Sequence, residues 1–318
     1  MANLKNINRR IKSIKNTGKI TRAMEMVSAV KMRKATESVL RIRPYAHSAW
    51  SVLANLARAF GEYDSGLLEV REVKSILAVI ITSNRGLCGS FNAQVIKKVK
   101  EEIENPKELK INRRGDEKIE SSVPDEKLSI DFITVGKKGE NLARKLGKNI
   151  VASFPELTYL PSIESARPLS KMVMDDYLAK KYDKVVIIYT DYVSAVIQRA
   201  KIRQILPISK VDLEKQISEM NGLAKEHKLA EPESEYKVEP GPKEVLTYVF
   251  PRLVEMQIYH AILESNASKE SARMVAMRNA TEAADEMSEG LTLAYNQIRQ
   301  MKITQEIAEI SAGRAALE

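Results

Sequence analysis

The chain has 318 residues, 44% of them hydrophobic but only 5% aromatic, with a net charge of +9 and a single cysteine, Cys88. One cysteine excludes an intramolecular disulfide and points to a reducing compartment, and no run of about 18 apolar residues is present to cross a membrane. The charge is unevenly placed: residues 1–43 carry twelve Lys and Arg against Glu25 and Glu37, whereas residues 252–318 carry seven against ten Asp and Glu.

The chain opens on a helix. Residues 3–43 contain no proline and one glycine, Gly18, before Pro44 stops the run. Leu4, Ile7, Ile11 and Ile14 fall at three–four–three spacing, one face of a helix. Past Gly18 the stripe resumes with a phase slip as Ile20, Met24 and Val27. The basic, acid-poor start has the character of a mitochondrial transit peptide and lacks the apolar segment of a secretory signal.

Residues 75–210 read as α/β. Strands are expected at 75–82, 129–135, 149–154 and 184–190, with helices at 91–104, 137–146 and 165–181 between them, so the sheet should be mostly parallel with helical crossovers. A further long strand is expected over 194–208. The polar stretch 105–127 reads as a mobile insertion, and 211–235 is a second polar stretch with some helical character.

From Pro242 the pattern is helical almost to the end, with Pro251 marking a kink or a true start. Met277, Ala280, Ala284, Met287, Leu291, Ala294, Ile298, Met301, Gln305, Ala308, Ala312 and Ala315 keep alternating steps of three and four. Such a seam of more than five heptads calls for a partner helix. At 1.5 Å per residue this helix is about 100 Å long, twice the roughly 50 Å width of a globule of this length. It must therefore project. The basic N-terminal helix, about 60 Å, is its natural antiparallel partner. The division expected is 1–60 an N-terminal shaft helix, 70–210 an α/β foot with the insertion 105–127, 211–241 a polar linker, and 242–318 a C-terminal shaft helix.

The motifs exclude more than they assign. "SNRGLCGSFN" (83–92) sits between a strand and a helix, where backbone N–H groups attract phosphate. Its glycines, Gly86 and Gly89, match neither G-x-G-x-x-G nor a P-loop, so they read as shaping a structural turn. "NTGKIT" (16–21) and "GKKGENLARKLG" (136–147) fail the same test. His47, His227 and His260 lie far apart with no zinc spacing. Cys88 has no histidine near it in sequence and reads as a small turn residue rather than a nucleophile. No catalytic residue, cofactor site or metal site emerges. The basic first helix lacks interleaved aromatics and any recognition motif for nucleic acid, and its charge alone leaves the class of partner open.

Three segments carry a family resemblance: "KITRAMEMVSAVKMRKA" (19–35), "SNRGLCGSFN" (83–92), and "ASKESARMVAMRNATEAADE" (267–286) with the "YNQIRQMKITQEIAEISAGRAAL" (295–317) that follows it. With them the chain resembles the gamma subunit of F-type ATP synthases over essentially its whole length outside the polar insertions. The resemblance implies a long antiparallel two-helix coiled coil from both termini, standing on a small Rossmann-like α/β domain. It implies a non-catalytic rotor shaft inside a hexamer of alternating α and β subunits, with the ε subunit and a c-ring at the foot. Catalysis then belongs to the β subunits, no cofactor is bound, and membrane contact comes only through the Fo sector. By motif, Arg22, Met24 and Glu25 and, at the other end, Arg299, Gln300, Thr304 and Glu306 resemble the segments that meet β, while Tyr236 resembles the foot beside the c-ring. The family's mature N-terminus resembles this chain from its first residues, which argues for a bacterial complex on the cytoplasmic face of the plasma (inner) membrane. The stretch 211–235 lies near a regulatory insertion with a cysteine pair in plant chloroplast relatives; it has no cysteine, so that thiol switch is excluded. Two alternatives compete: a nucleotide-using enzyme with a coiled-coil arm, which would bind ATP or NAD alone, and a basic coiled-coil nucleic-acid binder, with steeply salt-dependent DNA affinity.

Overall fold

A computed structural model describes residues 4–60, 66–114, 117–124, 127–158, 161–209 and 241–315. In chain order the elements are helix α1 (Leu4–Phe60), strand β1 (Ser75–Ile81), helix α2 (Phe91–Glu104), the short helix α3 (Lys107–Lys110), and strands β2 (Ile111–Arg114), β3 (Glu117–Glu120) and β4 (Ser129–Val135). There follow α4 (Lys137–Lys145), β5 (Ile150–Ser153), a 3-10 turn (Pro155–Thr158), α5 (Ile163–Leu178), β6 (Lys184–Tyr192), β7 (Gln198–Leu206) and α6 (Pro242–Ala315). They divide into two compact units, one of Met1–Val30 with Arg273–Glu318, the other of Lys31–Ala272.

The larger unit is built on a five-stranded sheet of order β5-β4-β1-β6-β7. Every pairing is parallel except that of β7 with β6. The continuous apolar run of β1 is what a strand covered on both faces requires. Leu77, Val79 and Ile81 enter one layer with Leu169, Val173 and Tyr177 of α5, Leu253, Val254 and Ile258 of α6, and Val39 of α1. Ile76, Ala78 and Ile80 enter the other, against Val95 and Val99 of α2 and Leu142 and Ala143 of α4. This is the expected α/β layering, with the helical crossovers where the alternation places them.

Three local expectations are corrected. The polar stretch 105–127 carries α3 and an antiparallel hairpin, β2 with β3. Asn112 Nδ2 donates to Arg71 O at 2.8 Å, Ser121 Oγ to Val73 O at 2.9 Å and Lys184 Nζ to Ile111 O at 2.6 Å. Polar side chains do the anchoring there, so composition gave no sign of order. The strand expected over 194–208 is shorter, because Ser194 Oγ accepts from the N–H groups of Val196 and Ile197 and closes a turn before Gln198. Helix α1 passes through Pro44 instead of stopping there, and α6 begins at Pro242, so Pro251 lies inside it and is not its start. A proline removes one i→i−4 bond, and a long helix can continue on either side of that gap.

The smaller unit consists of the amino-terminal part of α1 and the carboxy-terminal part of α6. Thr21 Oγ1 lies 2.7 Å from Thr281 Oγ1, and a Cβ added to Gly18 would sit 3.4 Å from Ala284 Cβ. As the α1 number falls the α6 number rises, so the pair is antiparallel. Here the expected seam is corrected. The buried or half-buried stripe on α1 is Leu4, Ile7, Ile11, Ile14, Gly18, Thr21, Glu25 and Ser28, an unbroken three–four alternation with no phase slip. Ile20 and Val27, expected in the seam, are 61% and 53% exposed, and Met24 is half-buried at its edge. On α6 the stripe is Met277, Thr281, Ala284, Ser288, Leu291, Tyr295 and Ile298, so Ala280 and Met287 are each displaced by one residue, and Met287 is 62% exposed. Small polar residues fill the seam where the backbones approach closely, so the apolar pattern pointed one position aside.

Candidate functional site

The glycine loop follows β1 at the carboxyl edge of the sheet. Ser83 N donates to Asn92 Oδ1 at 3.1 Å, and Asn92 Nδ2 donates back to Ser83 Oγ at 2.8 Å and to the buried Cys88 Sγ at 3.1 Å. Asn84 Nδ2 donates to Pro155 O at 2.8 Å while its Oδ1 accepts from Lys137 N at 3.0 Å. The side chains of Ser83, Asn84 and Asn92 are thus engaged with the protein's own backbone and with one another. Gly89 has a φ of 54° and Leu87 one of 62°, left-handed values that a glycine accepts at low cost and a leucine does not. Gly86 has no atom within 4 Å of where a Cβ would stand.

In a doubly wound sheet a nucleotide sits where the strand order reverses. The chain runs from β1 to β4 and β5 on one side and returns to β6 on the other, so the reversal lies between β1 and β6. Helix α6 makes polar contacts with the carboxyl-end segments at this edge. Ser268 Oγ donates to Thr190 O at 3.3 Å, Asn266 Nδ2 to Leu157 O at 3.2 Å, and Ser271 Oγ bonds the carbonyl of Ala195. All residues from Ser265 to Ser271 are buried. The second glycine motif has a packing cause. Gly136 has a φ of 95°, and a Cβ there would meet Thr82 O at 2.4 Å. Among the described residues no group of His, Cys, Asp and Glu could hold a metal ion.

The surfaces of the smaller unit are of a different kind. A groove of about 820 Å³ runs between its helices, with Lys15, Lys19 and Arg22 on one wall and Asp285 and Glu289 on the other. Opposite charges facing across the groove favour this register. Beyond Ile298, which stands level with the start of α1, every described side chain of α6 to Arg314 is exposed. The seam of more than five heptads therefore finds a partner over about three heptads. Met301, Ile303, Ile307 and Ile310 stay exposed, and so do Ile20, Met26, Val27 and Val30 on the outer face of α1.

The profile of the ATP synthase family matches residues 3–317. The chain is 38% identical to the ATP synthase gamma chain of Roseiflexus castenholzii over 319 residues, covering 100% of this chain and 99% of that one. It is 39% identical to that of Heliobacterium modesticaldum and 40% identical to that of Dehalococcoides mccartyi, with full coverage on both sides. The chain belongs to the ATP synthase gamma-chain family.

Solved structures share the gamma-chain fold. The central stalk and c-ring structure of the Tetrahymena thermophila mitochondrial ATP synthase contains a chain 25% identical, with a TM-score of 0.55 over 82% of this chain and 99% of that one. A chain of the Euglena gracilis mitochondrial enzyme, 19% identical, matches with a TM-score of 0.62 over 99% and 94%. As a gamma chain the protein is part of a membrane-bound complex, and among its described residues no helix is long and apolar enough to cross a membrane.

The residues singled out by motif fall into separate places. Arg22 is exposed, Met24 is half-buried beside the seam, and Glu25 is half-buried within it. Arg299, Gln300, Thr304 and Glu306 are all exposed on the end of α6 that follows Ile298. Arg22 stands level with residue 280, so Arg299 lies roughly 28 Å further along the helix pair. The two sets are not brought together. Tyr236 lies outside the described residues. Motif reasoning passed over the exposed apolar face of α1, which could have been found by following the unbroken seam through Gly18 and noting which apolar residues fall off it.

Proposed function

We propose that this chain is the non-catalytic central-stalk rotor of an ATP synthase, coupling ion-driven rotation of a c-ring to the catalytic cycle of the β subunits. The full-length match to gamma chains carries this reading. The end of α6 supports it, since Ile303, Ile307 and Ile310 are exposed and fall at four–three spacing on one face of the helix, an apolar stripe that an external sleeve would cover. Residues 1–60 and 242–318 serve as the shaft, 70–210 as the foot and 211–241 as a linker. The partners are the alternating α and β subunits around the shaft, and ε and the c-ring at the foot. Exposure of Arg22, Arg299, Gln300, Thr304 and Glu306, with Met24 at the seam's edge, supports their contact with β; Glu25 is assigned to the same contact by its motif, although it lies within the seam. Gly86 and Gly89 shape a turn, and Tyr236 lies on the c-ring side of the foot. The bacterial relatives support a place on the cytoplasmic face of a bacterial plasma membrane.

The mechanism is differential contact. A two-helix shaft lacks the rotational symmetry of the ring around it, so it touches chemically identical β subunits differently. Each contact biases its subunit between open and closed states, and a bias of about 5.5 kcal/mol carries a two-state equilibrium from 1:99 to 99:1. Turning the shaft moves that bias around the ring. The test is ATP hydrolysis by α and β subunits reconstituted with and without the chain, with nucleotide binding to the chain alone as control. Activity that depends on the chain, with no binding by the chain itself, is the expected result. Specific ATP or NAD binding by the isolated chain would overturn it.

A further inference from the structure

Between α5 and the first turns of α6 lies a groove of about 420 Å³ lined by Arg167, Lys171, Met174, Tyr248, Pro251 and Arg252. At its base is the buried carboxylate of Glu255, whose Oε1 accepts from Arg167 Nε at 2.9 Å and whose Oε2 accepts from Arg252 Nη1 at 2.7 Å. One carboxylate thus holds two guanidinium groups close together against their repulsion and fixes their orientation. Both arginine side chains remain at least half exposed, so each keeps further N–H donors for an outside acceptor. With the exposed Lys171 the groove carries a surplus of two positive charges. Beside it Tyr248 is 81% exposed, although its helix neighbours Val245 and Val249 pack on the core. Folding of this unit gives no reason for that tyrosine. Oriented arginines and an exposed tyrosine beside Met174 and Pro251 are the make-up of an interface anchor.

We propose that this groove docks an acidic segment of another subunit of the complex, its carboxylates on Arg167 and Arg252 and an apolar side chain among Met174, Tyr248 and Pro251. The inference rests on the central-stalk reading above. A planar carboxylate matches the guanidinium fork. An anionic membrane would instead favour cations spread over a broad face, and here they converge on one groove around one buried carboxylate.

The experiment places the photoreactive residue p-benzoylphenylalanine at position 248 of the full chain, in the purified ATP synthase complex. The expected result is a covalent adduct to an acidic segment of another subunit. Its yield should fall about fivefold in Lys171→Glu with Arg167→Gln, the size expected for losing one exposed ion pair and placing a like charge beside the incoming carboxylates, and should fall likewise as salt is raised. Lys171→Glu alone, at an exposed position, should lower the yield in the same direction and guards against misfolding of the double variant. An intact, ATP-hydrolysing complex that gives no adduct, an adduct to lipid alone, or an adduct unmoved by both variants and by salt would overturn the proposal and leave the stalk assignment standing. Failure of the unsubstituted chain to co-purify with the complex would overturn the stalk assignment itself.

Discussion

Replacing Gly18 separates close helix packing from helix propensity. At Gly18 a Cβ would lie 3.4 Å from Ala284 Cβ, ordinary contact at the tight end, so Gly18→Ala adds one methyl where it only just fits. Alanine also recovers about 1 kcal/mol of helix propensity, and Gly18→Ala should stabilise the pair by up to that amount. Gly18→Leu gains nearly as much propensity but adds three further carbons where Ala284 stands, an overpacking that costs about 1–3 kcal/mol. The net expectation for leucine is a loss of about 1 kcal/mol relative to wild type and about 2 relative to alanine. Amide hydrogen exchange of peptides from residues 4–30 and 273–298 reads this locally, and 1.4 kcal/mol is about tenfold in exchange rate. Alanine should slow exchange and leucine should speed it. Protection in Gly18→Leu equal to that in Gly18→Ala would mean that propensity alone decides, and would refute close packing at this level of the seam.

Other consequences follow from named contacts. Thr281→Val should cost about 1 kcal/mol by deleting the bond to Thr21, whereas the double variant with Thr21→Val should recover most of it, because no buried hydroxyl is left facing an apolar group; exchange protection of the same peptides checks both. Gly136→Ala should destabilise the α/β unit by about 2–4 kcal/mol in denaturant unfolding, through its positive φ and the clash with the Thr82 carbonyl. Burial raises the hydroxyl pKa values of both Tyr177 and Tyr182 above 10.0, and the hydrogen bond from Tyr182 to Asp131 adds to its rise. A raised folded pKa contributes stability below the unfolded value of about 10 and loses it progressively as pH climbs above that. Tyr182→Phe should therefore flatten the alkaline limb of a stability–pH curve, and an unchanged limb would count against that role.

Long periodic segments and the alternation of apolar runs with helices were plain in the sequence, and 91–104 and 129–135 coincide with α2 and β4. Such elements bury faces that hydrophobic spacing reports directly. The seam was less visible because Gly18, Thr21, Ser28, Thr281 and Ser288 occupy it, and their value lies in small size and paired hydroxyls rather than in hydrophobicity. The hairpin at 111–120 was hidden for a related reason: Asn112, Ser121 and Lys184 fasten it through hydrogen bonds across 41, 48 and 73 residues of sequence. That "SNRGLCGSFN" departs from the known phosphate-binding glycine spacings could be read from the sequence. That α6 lines the neighbouring sheet edge could not, because more than 170 residues separate the loop from Ser268.

Rotation is the most direct test of a shaft that acts through others. The α and β subunits would be immobilised with this chain assembled among them, a probe fixed to its α/β unit, and ATP supplied. Turning of the probe in one direction, at a rate that follows ATP concentration and stops when ATP is removed, is the expected result. Steady ATP hydrolysis by the same complexes with the probe stationary would contradict the account.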